Sequence, residues 1–445
     1  MHITVNKSLL LITAFFFFTA CQEEEPDPVN DDPIVEECDK DVIIDNTNSI
    51  EGYTDKESYW PGETVHFMLH NTASECDIEI IRHGVTDESI EVISSVTTTA
   101  QNYNCRSYSF GCDWDVTYSY DLPASVESGI YSAKLTNDLG ESFNICFVVK
   151  GDGAAEYAVL ANTNTWQAYN DWGGHSFYRY DLDEERQHSE IISFDRPNVR
   201  AIPYGNTGHL VAAELHLHRW MTTKGYDYEV ISDRDIHDGI IDLSNYQTLV
   251  LNVHPEYWTP QMKFFLNVFI QNGGNIINLG ANCIYWKSII VDNKIEKKKK
   301  GHNFFLEPNE PGGRWRDLNE HESALLGVQY DRRGYNTYHP YIVYNSSHWV
   351  FSGTGLNDLD IFGDECLNGA GASGLETDKM TTLSPSSTVF LAKGSNPEDG
   401  GASMIYYEHS SGSKIFSAGS ITYTGSLSVD PVLEQITTNV FEYFH

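Results

Sequence analysis

The chain has 445 residues, with 28 Lys and Arg against 64 Asp and Glu, which gives a formal net charge of −36. This acidity argues against nucleic acid as a partner, because a phosphate backbone is bound by a basic surface. Apolar residues make up 40% of the chain and aromatic residues 13%, so the composition predicts a globular protein rather than a disordered one. The length is typical of about two to three domains.

An apolar segment near the N terminus predicts export. Residues 9–20 follow Lys7 and include four consecutive phenylalanines, and a segment this short is typical of a signal peptide rather than a membrane span. It ends in FTAC, which resembles a bacterial lipobox with Cys21 as the lipidated residue; an ordinary secretory cleavage site is the alternative. The sequence therefore predicts a signal peptide over 1–20 and an acidic, lipidated tether over 21–47.

The residues QEEE directly after Cys21 resemble the acidic stretch found in surface-exported lipoproteins of Bacteroidetes. We therefore expect a protein that is lipid-anchored in the bacterial outer membrane and exposed at the cell surface. In an exported protein some of the seven remaining cysteines are expected to pair, and Cys105 with Cys112 is the first choice because they flank a short loop. Seven is an odd number, so at least one thiol should stay free, and Cys283 is the candidate.

Short segments with the period of β-strands occupy residues 48–150. They are TVHFML (64–69), DIEII (77–81), IYSAKL (130–135) and SFNICFVV (142–149). No helical period of useful length separates them. This spacing predicts an Ig-like antiparallel β-sandwich over 48–150.

From residue 151 to 445 the pattern changes to apolar runs that alternate with helical periodicity. Strands are predicted at 157–162, 228–231, 248–253 and 275–279, and helices at 208–224, 259–271 and 429–444. Further strands are predicted at 341–344, 388–392, 404–407 and 414–417. Strands that alternate with helices predict an α/β domain with a doubly wound, mostly parallel sheet.

Three segments follow the ends of the predicted parallel strands, where such sheets bind their ligands. They are residues 162–181 after the first strand, HPEYW (254–258) after the third and GANCIYW (280–286) after the fourth. We expect them to meet at one edge of the sheet and to form a polar and aromatic site. Each member alone also has a structural explanation: Glu256 as a helix cap, for example, or Asn282 as a turn residue.

Familiar catalytic signatures such as HExxH, GxSxG, a P-loop or paired CxxC are missing from the sequence. One alternative is a hydrolase with Cys283 as nucleophile and His254 as base, although no glycine follows in the tight turn that such a nucleophile needs. A noncatalytic surface protein that binds glycan or peptide is another alternative, since the predicted lipid anchor, the sandwich and the many Tyr and Trp residues suit capture outside the cell.

A set of segments resembles, in order, the C-terminal domain of the large (beta) subunit of N,N-dimethylformamidase. They are NTWQAYNDWGG (164–174), SFDRP (193–197), residues 225–233, HPEYW (254–258), GGN (273–275), GAN (280–282), GRWRD (313–317) and GSITYTGSL (419–427). The resemblance implies a flavodoxin-like or amidotransferase-like layered domain that hydrolyses an amide C–N bond. It also implies one mononuclear ferric ion (Fe3+) held by two tyrosinates and a glutamate, beside a His and an Asn.

Motif by motif, Glu256 matches the glutamate ligand, and His254 and Asn282 match the His and Asn beside the ion. Tyr169 in WQAYN matches the first tyrosine. The resemblance leaves three candidates for the second tyrosine: Tyr180 as the choice, with Tyr178 and Tyr204 as rivals.

The chemistry of these residues agrees with what the resemblance implies. A hard cation prefers oxygen ligands, and a bound cation stabilises phenolate at neutral pH. His254 is then expected to move a proton and Asn282 to orient the substrate, with Trp166 and Trp172 as walls of a small pocket. The sequence thus predicts a metal-dependent amidohydrolase that acts on a small amide or a glycan-derived substrate, and it is compatible with a homo-oligomer.

Overall fold

The structure is a computed structural model, and it describes residues 43–178, 187–205 and 208–445. The predicted signal peptide, the lipidation site Cys21 and the ligand candidate Tyr180 lie outside these ranges. Within them, no helix combines the length and the apolar character that crossing a membrane requires.

The N-terminal part consists almost entirely of strands. They are β1 (Ile43–Ile44), β2 (Ile50–Thr54), β3 (Ser58–Tyr59), β4 (Thr64–Asn71), β5 (Glu75–His83), β6 (Asp87–Thr97), β7 (Tyr103–Asn104), β8 (Tyr118–Asp121), β9 (Gly129–Asn137) and β10 (Ser142–Val149). One sheet has the order β3-β10-β9-β5-β6 and another the order β2-β4-β8. Phe67 from the second sheet and Ile80 and Phe147 from the first share one buried core, because alternate side chains of each strand point to the same face.

The described residues of the rest of the chain form nineteen further strands. Those before residue 300 are β11 (Tyr157–Ala161), β12 (His175–Ser176), β13 (Gln187–His188), β14 (Ile191–Ser193), β15 (Tyr228–Ser232), β16 (Thr248–Val253), β17 (Tyr257–Trp258), β18 (Asn275–Gly280), β19 (Trp286–Val291) and β20 (Lys294–Lys297). Those after it are β21 (Gln329–Tyr330), β22 (Tyr338–His339), β23 (Tyr341–Val343), β24 (Ile361–Phe362), β25 (Ser373–Gly374), β26 (Asp378–Lys379), β27 (Val389–Gly394), β28 (Ser403–Glu408) and β29 (Lys414–Ser417).

The α-helices of the described residues are few, and four of the seven have six residues or fewer. They are α1 (Ser107–Phe110), α2 (Thr163–Ala168), α3 (Val211–Lys224), α4 (Asp233–His237), α5 (Pro260–Gln271), α6 (Glu322–Leu326) and α7 (Pro431–Phe444). The predicted signals for α5 are confirmed: the Thr259 hydroxyl accepts from the N–H of Met262, and Pro260 holds the first position. Gly225 ends α3 in the left-handed conformation, with φ of 74°.

The largest sheet has nine strands in the order β15-β11-β16-β18-β29-β28-β27-β23-β24. The first five strands are mutually parallel, and every pair from β29 to β24 is antiparallel. A smaller four-stranded sheet, β14-β20-β19-β17, lies beside the ends of these strands.

The predicted fold class, a mostly parallel flavodoxin-like or amidotransferase-like α/β domain after a sandwich, is therefore wrong. Strands account for 34% of the structure and helices for 21%, and the large sheet is mixed. The strands predicted at 157–162, 228–231, 248–253 and 275–279 are present. The error arises beyond β18, where most of the later strands are joined by turns and loops rather than helices, and closely joined neighbours run antiparallel.

The N-terminal sheets and the large sheet share a buried junction. Ile130 and Val148 pack in one apolar cluster with Trp166 and Val211. The ammonium group of Lys150 lies 2.6 Å from the Asp235 carboxylate, and both side chains are almost fully buried. This junction fixes α2, which carries the first of the candidate site residues.

The predicted Cys105–Cys112 pair is wrong. Cys105 is disulfide-bonded, whereas Cys112 is a buried free thiol that packs with Trp114 and Trp172. Closeness in sequence does not bring two Cβ atoms to bonding distance. The prediction that Cys283 stays free is confirmed.

Candidate functional site

Tyr169 is placed by the short helix α2, which begins immediately after β11. The Asn162 side chain donates to the backbone oxygen of Asn252 (2.7 Å) and to Glu214 (3.0 Å), and the indole N–H of Trp166 donates to the same Glu214 oxygen at 2.7 Å. Burial raises the pKa of Glu214 to about 8. This buried network ties α2 to β16 and α3, so that Tyr169 follows at a defined position.

The segment 254–258 is fastened to α2 by Thr165. Its hydroxyl donates to the backbone oxygen of His254 (2.8 Å) and accepts from the N–H of Glu256 (3.2 Å). The chain enters the segment through Val253, whose φ of 58° is unusual for a β-branched residue. Such strain is retained where the surrounding structure enforces it, and it concentrates at functional sites.

Two phenols converge on one oxygen of Glu256. The Tyr178 hydroxyl donates to Oε2 at 2.7 Å and the Tyr169 hydroxyl at 3.3 Å, and the two rings stack with their centroids 4.2 Å apart. The hydroxyl of Tyr257 forms a hydrogen bond with that of Tyr178. The Glu256 side chain is fully buried, so these contacts meet on a carboxylate that is shielded from solvent.

His254 approaches the same carboxylate oxygen from the other direction. Its Nδ1 atom donates to the backbone oxygen of Ala281 at 3.0 Å, which leaves Nε2 directed at Glu256 Oε2, also 3.0 Å away. Burial lowers the pKa of His254, but the negative charge of Glu256 outweighs burial and raises it to about 9. A buried carboxylate and a buried imidazole thus stabilise each other's charged forms.

Asn282 lies on the segment after β18, with a left-handed φ of 52°. Its backbone N–H donates to Asp378 at 2.7 Å, and burial raises the pKa of that carboxyl group to about 7. Both polar atoms of the Asn282 side chain are buried and have no hydrogen-bond partner among the described residues. Because buried amides are nearly always satisfied, this side chain is available for a bound group.

His209 is a site residue that the sequence did not indicate. Its ring lies 4.3 Å from that of Tyr169 and 5.4 Å from that of His254. Its Nε2 atom is buried and finds no hydrogen-bond partner in the described part of the chain, and burial lowers its pKa well below the usual value. His209 precedes α3 and does not follow the end of a strand. Its place in the site could therefore not be predicted from the positions of the strand ends.

The three candidates for the second tyrosine have different environments. Tyr178 contacts Glu256, whereas Tyr204 is 44% exposed and packs edge-on against His83 of the N-terminal sheet. Tyr180 is outside the described residues. Tyr178, treated as a rival in the sequence argument, is therefore the tyrosine that the structure brings to Tyr169 and Glu256.

The two tryptophans predicted as pocket walls are both buried and hydrogen-bonded within the protein. Trp166 belongs to the buried junction cluster and uses its N–H on Glu214. Trp172 lies against the N-terminal sheets and donates to Glu51 at 2.9 Å. Neither indole N–H is free for a substrate.

Cys283 has the environment of a structural thiol. Its sulfur donates to Asn278 at 3.3 Å, it packs in an apolar cluster, and burial raises its pKa well above the usual range. These features oppose formation of a thiolate nucleophile.

Arg196 fastens the loop that leads from Tyr169 to Tyr178. Its guanidinium donates to the backbone oxygens of Asn170 (2.9 Å), Trp172 (2.9 Å), His175 (3.1 Å) and Ser193 (3.1 Å). The side chain is completely buried, and burial lowers its pKa to about 9. No carboxylate takes part in these bonds. The guanidinium group therefore holds the backbone of the loop in place rather than pairing with an acidic side chain.

The donor set fits a hard metal ion. No group of three or more His, Cys, Asp and Glu side chains within the described ranges is arranged to hold a metal, but here two of the three converging oxygens come from tyrosines. Two phenols and a carboxylate supply the oxygen ligands that a trivalent cation prefers. The Nε2 atom of His209 and the side-chain amide of Asn282 are further buried polar atoms that have no hydrogen-bond partner within the described ranges.

Comparison with known proteins agrees on one family. A family model described as N,N-dimethylformamidase beta subunit-like, C-terminal, matches residues 77–438. The N,N-dimethylformamidase beta subunit of Paracoccus aminophilus is 25% identical over 417 residues, and that of an Alcaligenes species is 24% identical; each alignment covers 75% of this chain and 54% of the relative. The chain thus spans about half the length of these curated relatives.

Among solved structures, one titled "mmIFT52 N-terminal domain" matches with a TM-score of 0.30 and 13% identity, over 50% of this chain and 86% of that chain. A similarity of this size does not establish a common fold.

Proposed function

This chain belongs to the N,N-dimethylformamidase beta subunit-like family, and on that basis we propose that its buried site around Glu256 hydrolyses an amide C–N bond. The observation that carries the proposal is the meeting of the Tyr169 and Tyr178 hydroxyls and the His254 Nε2 atom on Glu256 Oε2. We propose a small amide or a glycan-derived amide as the substrate, because Tyr169, His254 and Glu256 are buried and Tyr178 is only partly exposed.

Tyr169, Tyr178 and Glu256 would hold the metal, for which we propose Fe3+. Three anionic oxygens balance the charge of a trivalent ion. When bound, the ion would supply Lewis-acid polarisation of the amide carbonyl and a lower pKa for water. The stacked rings and the buried carboxylate keep the three oxygens in place before any ligand binds, which reduces the cost of assembling the site.

His254 is the proposed proton carrier. Its Nδ1 atom is committed to the Ala281 oxygen, which fixes the ring. The Nε2 proton that the Glu256 charge holds on the ring would pass to the departing amine, and a proton from water would then replace it on Nε2. Asn282 would orient the amide through its unsatisfied side-chain oxygen and nitrogen. The His209 ring packs edge-on against that of Tyr169 and is neutral, because burial lowers its pKa well below the usual value.

A direct test measures amine release from a panel of small amides and N-acyl sugars by protein purified with iron. We expect turnover by the unmodified protein and none by Glu256→Gln, which keeps the shape but removes an anionic ligand. Glu365→Gln, a change at an exposed residue, is the matched control and should keep full activity. The proposal fails if Glu256→Gln retains turnover, or if the iron-loaded protein cleaves none of the amides.

We also propose that the chain is anchored by lipid at Cys21 on the outer surface of a bacterial outer membrane. The supporting observations are the short apolar N-terminal segment, the FTAC motif and the acidic residues after it. Metabolic labelling with a radioactive fatty acid tests this: label should enter the unmodified protein and be absent from Cys21→Ser.

A further inference from the structure

A second cavity lies at the junction between the N-terminal sheets and α3. Its volume is about 320 Å³, and its walls come from the turn between β5 and β6, the start of β9, α3 and β15. This volume is in the range of small-molecule pockets, and such pockets concentrate where domains meet. The titratable and aromatic side chains of its wall include Arg82, His83, Asp87, Glu88, His218 and Tyr228.

His218 is the unusual member of this wall. It is 2% exposed, and its Nε2 atom has no hydrogen-bond partner among the described residues. Its ring packs 5.7 Å from that of Tyr228, whose hydroxyl donates to the backbone oxygen of His218 at 3.2 Å. His218 lines the cavity, and a buried polar atom that has no partner in the described part of the chain points to a ligand group within its reach.

The charges of the wall already have partners within the protein. Arg82 pairs with Glu127 at 2.7 Å and lies 3.9 Å from Glu88, and His83 contacts Asp87 at 2.9 Å. Two carboxylates and one guanidinium line the cavity, so an anion would meet excess negative charge. A single tyrosine ring does not form the aromatic cage that an alkylammonium ion prefers.

His218 itself carries no charge near neutral pH. Burial lowers its pKa to about 3, and the nearby charges of Arg219 and Arg82 act in the same direction. A neutral imidazole offers one donor and one acceptor, and hydroxyl groups satisfy both kinds of partner. The cavity therefore favours a ligand that is uncharged, rich in hydroxyls and large enough to reach both walls.

We propose that this cavity binds a neutral polyhydroxylated molecule of monosaccharide size, with one hydroxyl on His218 Nε2 and others on the carboxylates of Asp87 and Glu88. The face of the sugar ring would pack beside Tyr228. This site is separate from the Tyr169–Tyr178–Glu256 cluster, and its occupation requires neither metal nor amide cleavage.

The test is binding of glucose, galactose, mannose and N-acetylglucosamine to the whole protein, measured by saturation-transfer NMR and calorimetry. Dimethylammonium and acetate serve as the cationic and anionic probes. The key variant is His218→Phe, which keeps a ring against Tyr228, removes Nε2 and relieves a buried unsatisfied atom. We expect at least one sugar to bind, with at least tenfold weaker affinity in His218→Phe and unchanged affinity in His302→Phe, a control at an exposed histidine.

A second variant, Glu88→Gln, changes a largely exposed side chain and leaves the fold intact; it should also weaken the sugar. The proposal is overturned if no sugar binds, if only dimethylammonium or acetate binds, or if both Glu88→Gln and His218→Phe keep the affinity of the unmodified protein. Because binding is measured without turnover, these outcomes are independent of whether the protein hydrolyses amides.

Discussion

At the scale of single residues, one carboxylate oxygen organises the candidate site. Glu256 Oε2 receives two phenol hydroxyls and faces an imidazole nitrogen. A buried carboxylate is costly unless compensated by partners of this kind. A residue that served only as a helix cap would not need them, so the arrangement favours a charge-holding role for Glu256.

The role of His254 can be separated from metal binding by His254→Asn. We expect the turnover number for amide cleavage to fall by about 100-fold to 10,000-fold, the usual contribution of a positioned acid or base. The iron content should stay near that of the unmodified protein, because His254 is not one of the proposed ligands. Steady-state kinetics with metal analysis check this, with His302→Asn as control; unchanged turnover would remove His254 from the mechanism.

At the scale of elements, the loop between Tyr169 and Tyr178 depends on Arg196. This one side chain donates to three backbone oxygens of the loop and to the backbone oxygen of Ser193. Buried backbone groups left without partners cost free energy, and the loop carries one proposed ligand at each end. Its order is therefore a requirement for the site.

We expect Arg196→Met to lower the free energy of unfolding by about 3 kcal/mol or more, since several buried acceptors lose a charged donor. Amide cleavage should be lost as well, because Tyr178 would no longer be held at Glu256. Denaturant unfolding monitored by Trp fluorescence checks the stability. Arg332→Met, at an exposed arginine, is the control, and equal stabilities of the two variants would contradict this role.

Helix α3 gives the protein a defined response to acid. His218 has its pKa lowered from 6.5 to about 3 by burial and by Arg219 and Arg82, with Asp87 and Glu88 on the facing turn. Between about pH 3 and pH 6.5 His218 is therefore protonated in the unfolded chain but neutral in the folded chain. Its contribution to the free energy of unfolding is complete above about pH 6.5 and is lost as pH falls toward 3. Unfolding at pH 7 and pH 5 should show a smaller loss of stability for His218→Phe than for the unmodified protein; equal losses would contradict it.

At the scale of the whole molecule, the N-terminal sheets and the large sheet share buried apolar side chains and a buried ion pair. Lys150 and Asp235 come from the two sides of the junction, and Ser58 adds a hydrogen bond to Asp235 at 2.7 Å. Each of the two buried charges needs the other, because removing one leaves an unpaired charge in the interior. We therefore expect the two parts to unfold together.

Lys150→Met tests this coupling. Removing one partner of a buried ion pair typically costs about 3–5 kcal/mol, because the other charge is left unpaired. Calorimetry of the unmodified protein should show one transition, and Lys150→Met should lower its temperature clearly more than Lys134→Met on the N-terminal sheet. Two separate transitions in the unmodified protein would show that the parts unfold independently.

Much of the local structure was predictable from the sequence, because strands buried on both faces form continuous apolar runs such as 157–161 and 248–253. The pairing beyond β18 was not, since strands such as β22 and β24 have only two residues each. Their partners are set by packing with distant segments. The mixed sheet therefore could not be inferred from local pattern.

The candidate site shows the same division. Tyr169, His254 and Glu256 were identified because they follow strand ends, and the structure brings them together. The choice among the candidates for the second tyrosine could not be made from sequence, because the contact that selects Tyr178 joins it to Glu256, 78 residues away. His209 required the structure, since its contacts with Tyr169 and His254 join segments about 40 residues apart.

The measurement that most directly tests the proposed centre is resonance Raman spectroscopy of the iron-loaded protein, combined with metal analysis. Two tyrosine ligands predict close to one iron per chain, a visible phenolate-to-iron absorption band and enhanced tyrosinate vibrations. The intensity should fall in Tyr178→Phe and stay unchanged in Tyr204→Phe, at the exposed tyrosine outside the site. An iron-supplemented protein without bound metal, or a spectrum that Tyr169→Phe and Tyr178→Phe both leave unchanged, would contradict the account.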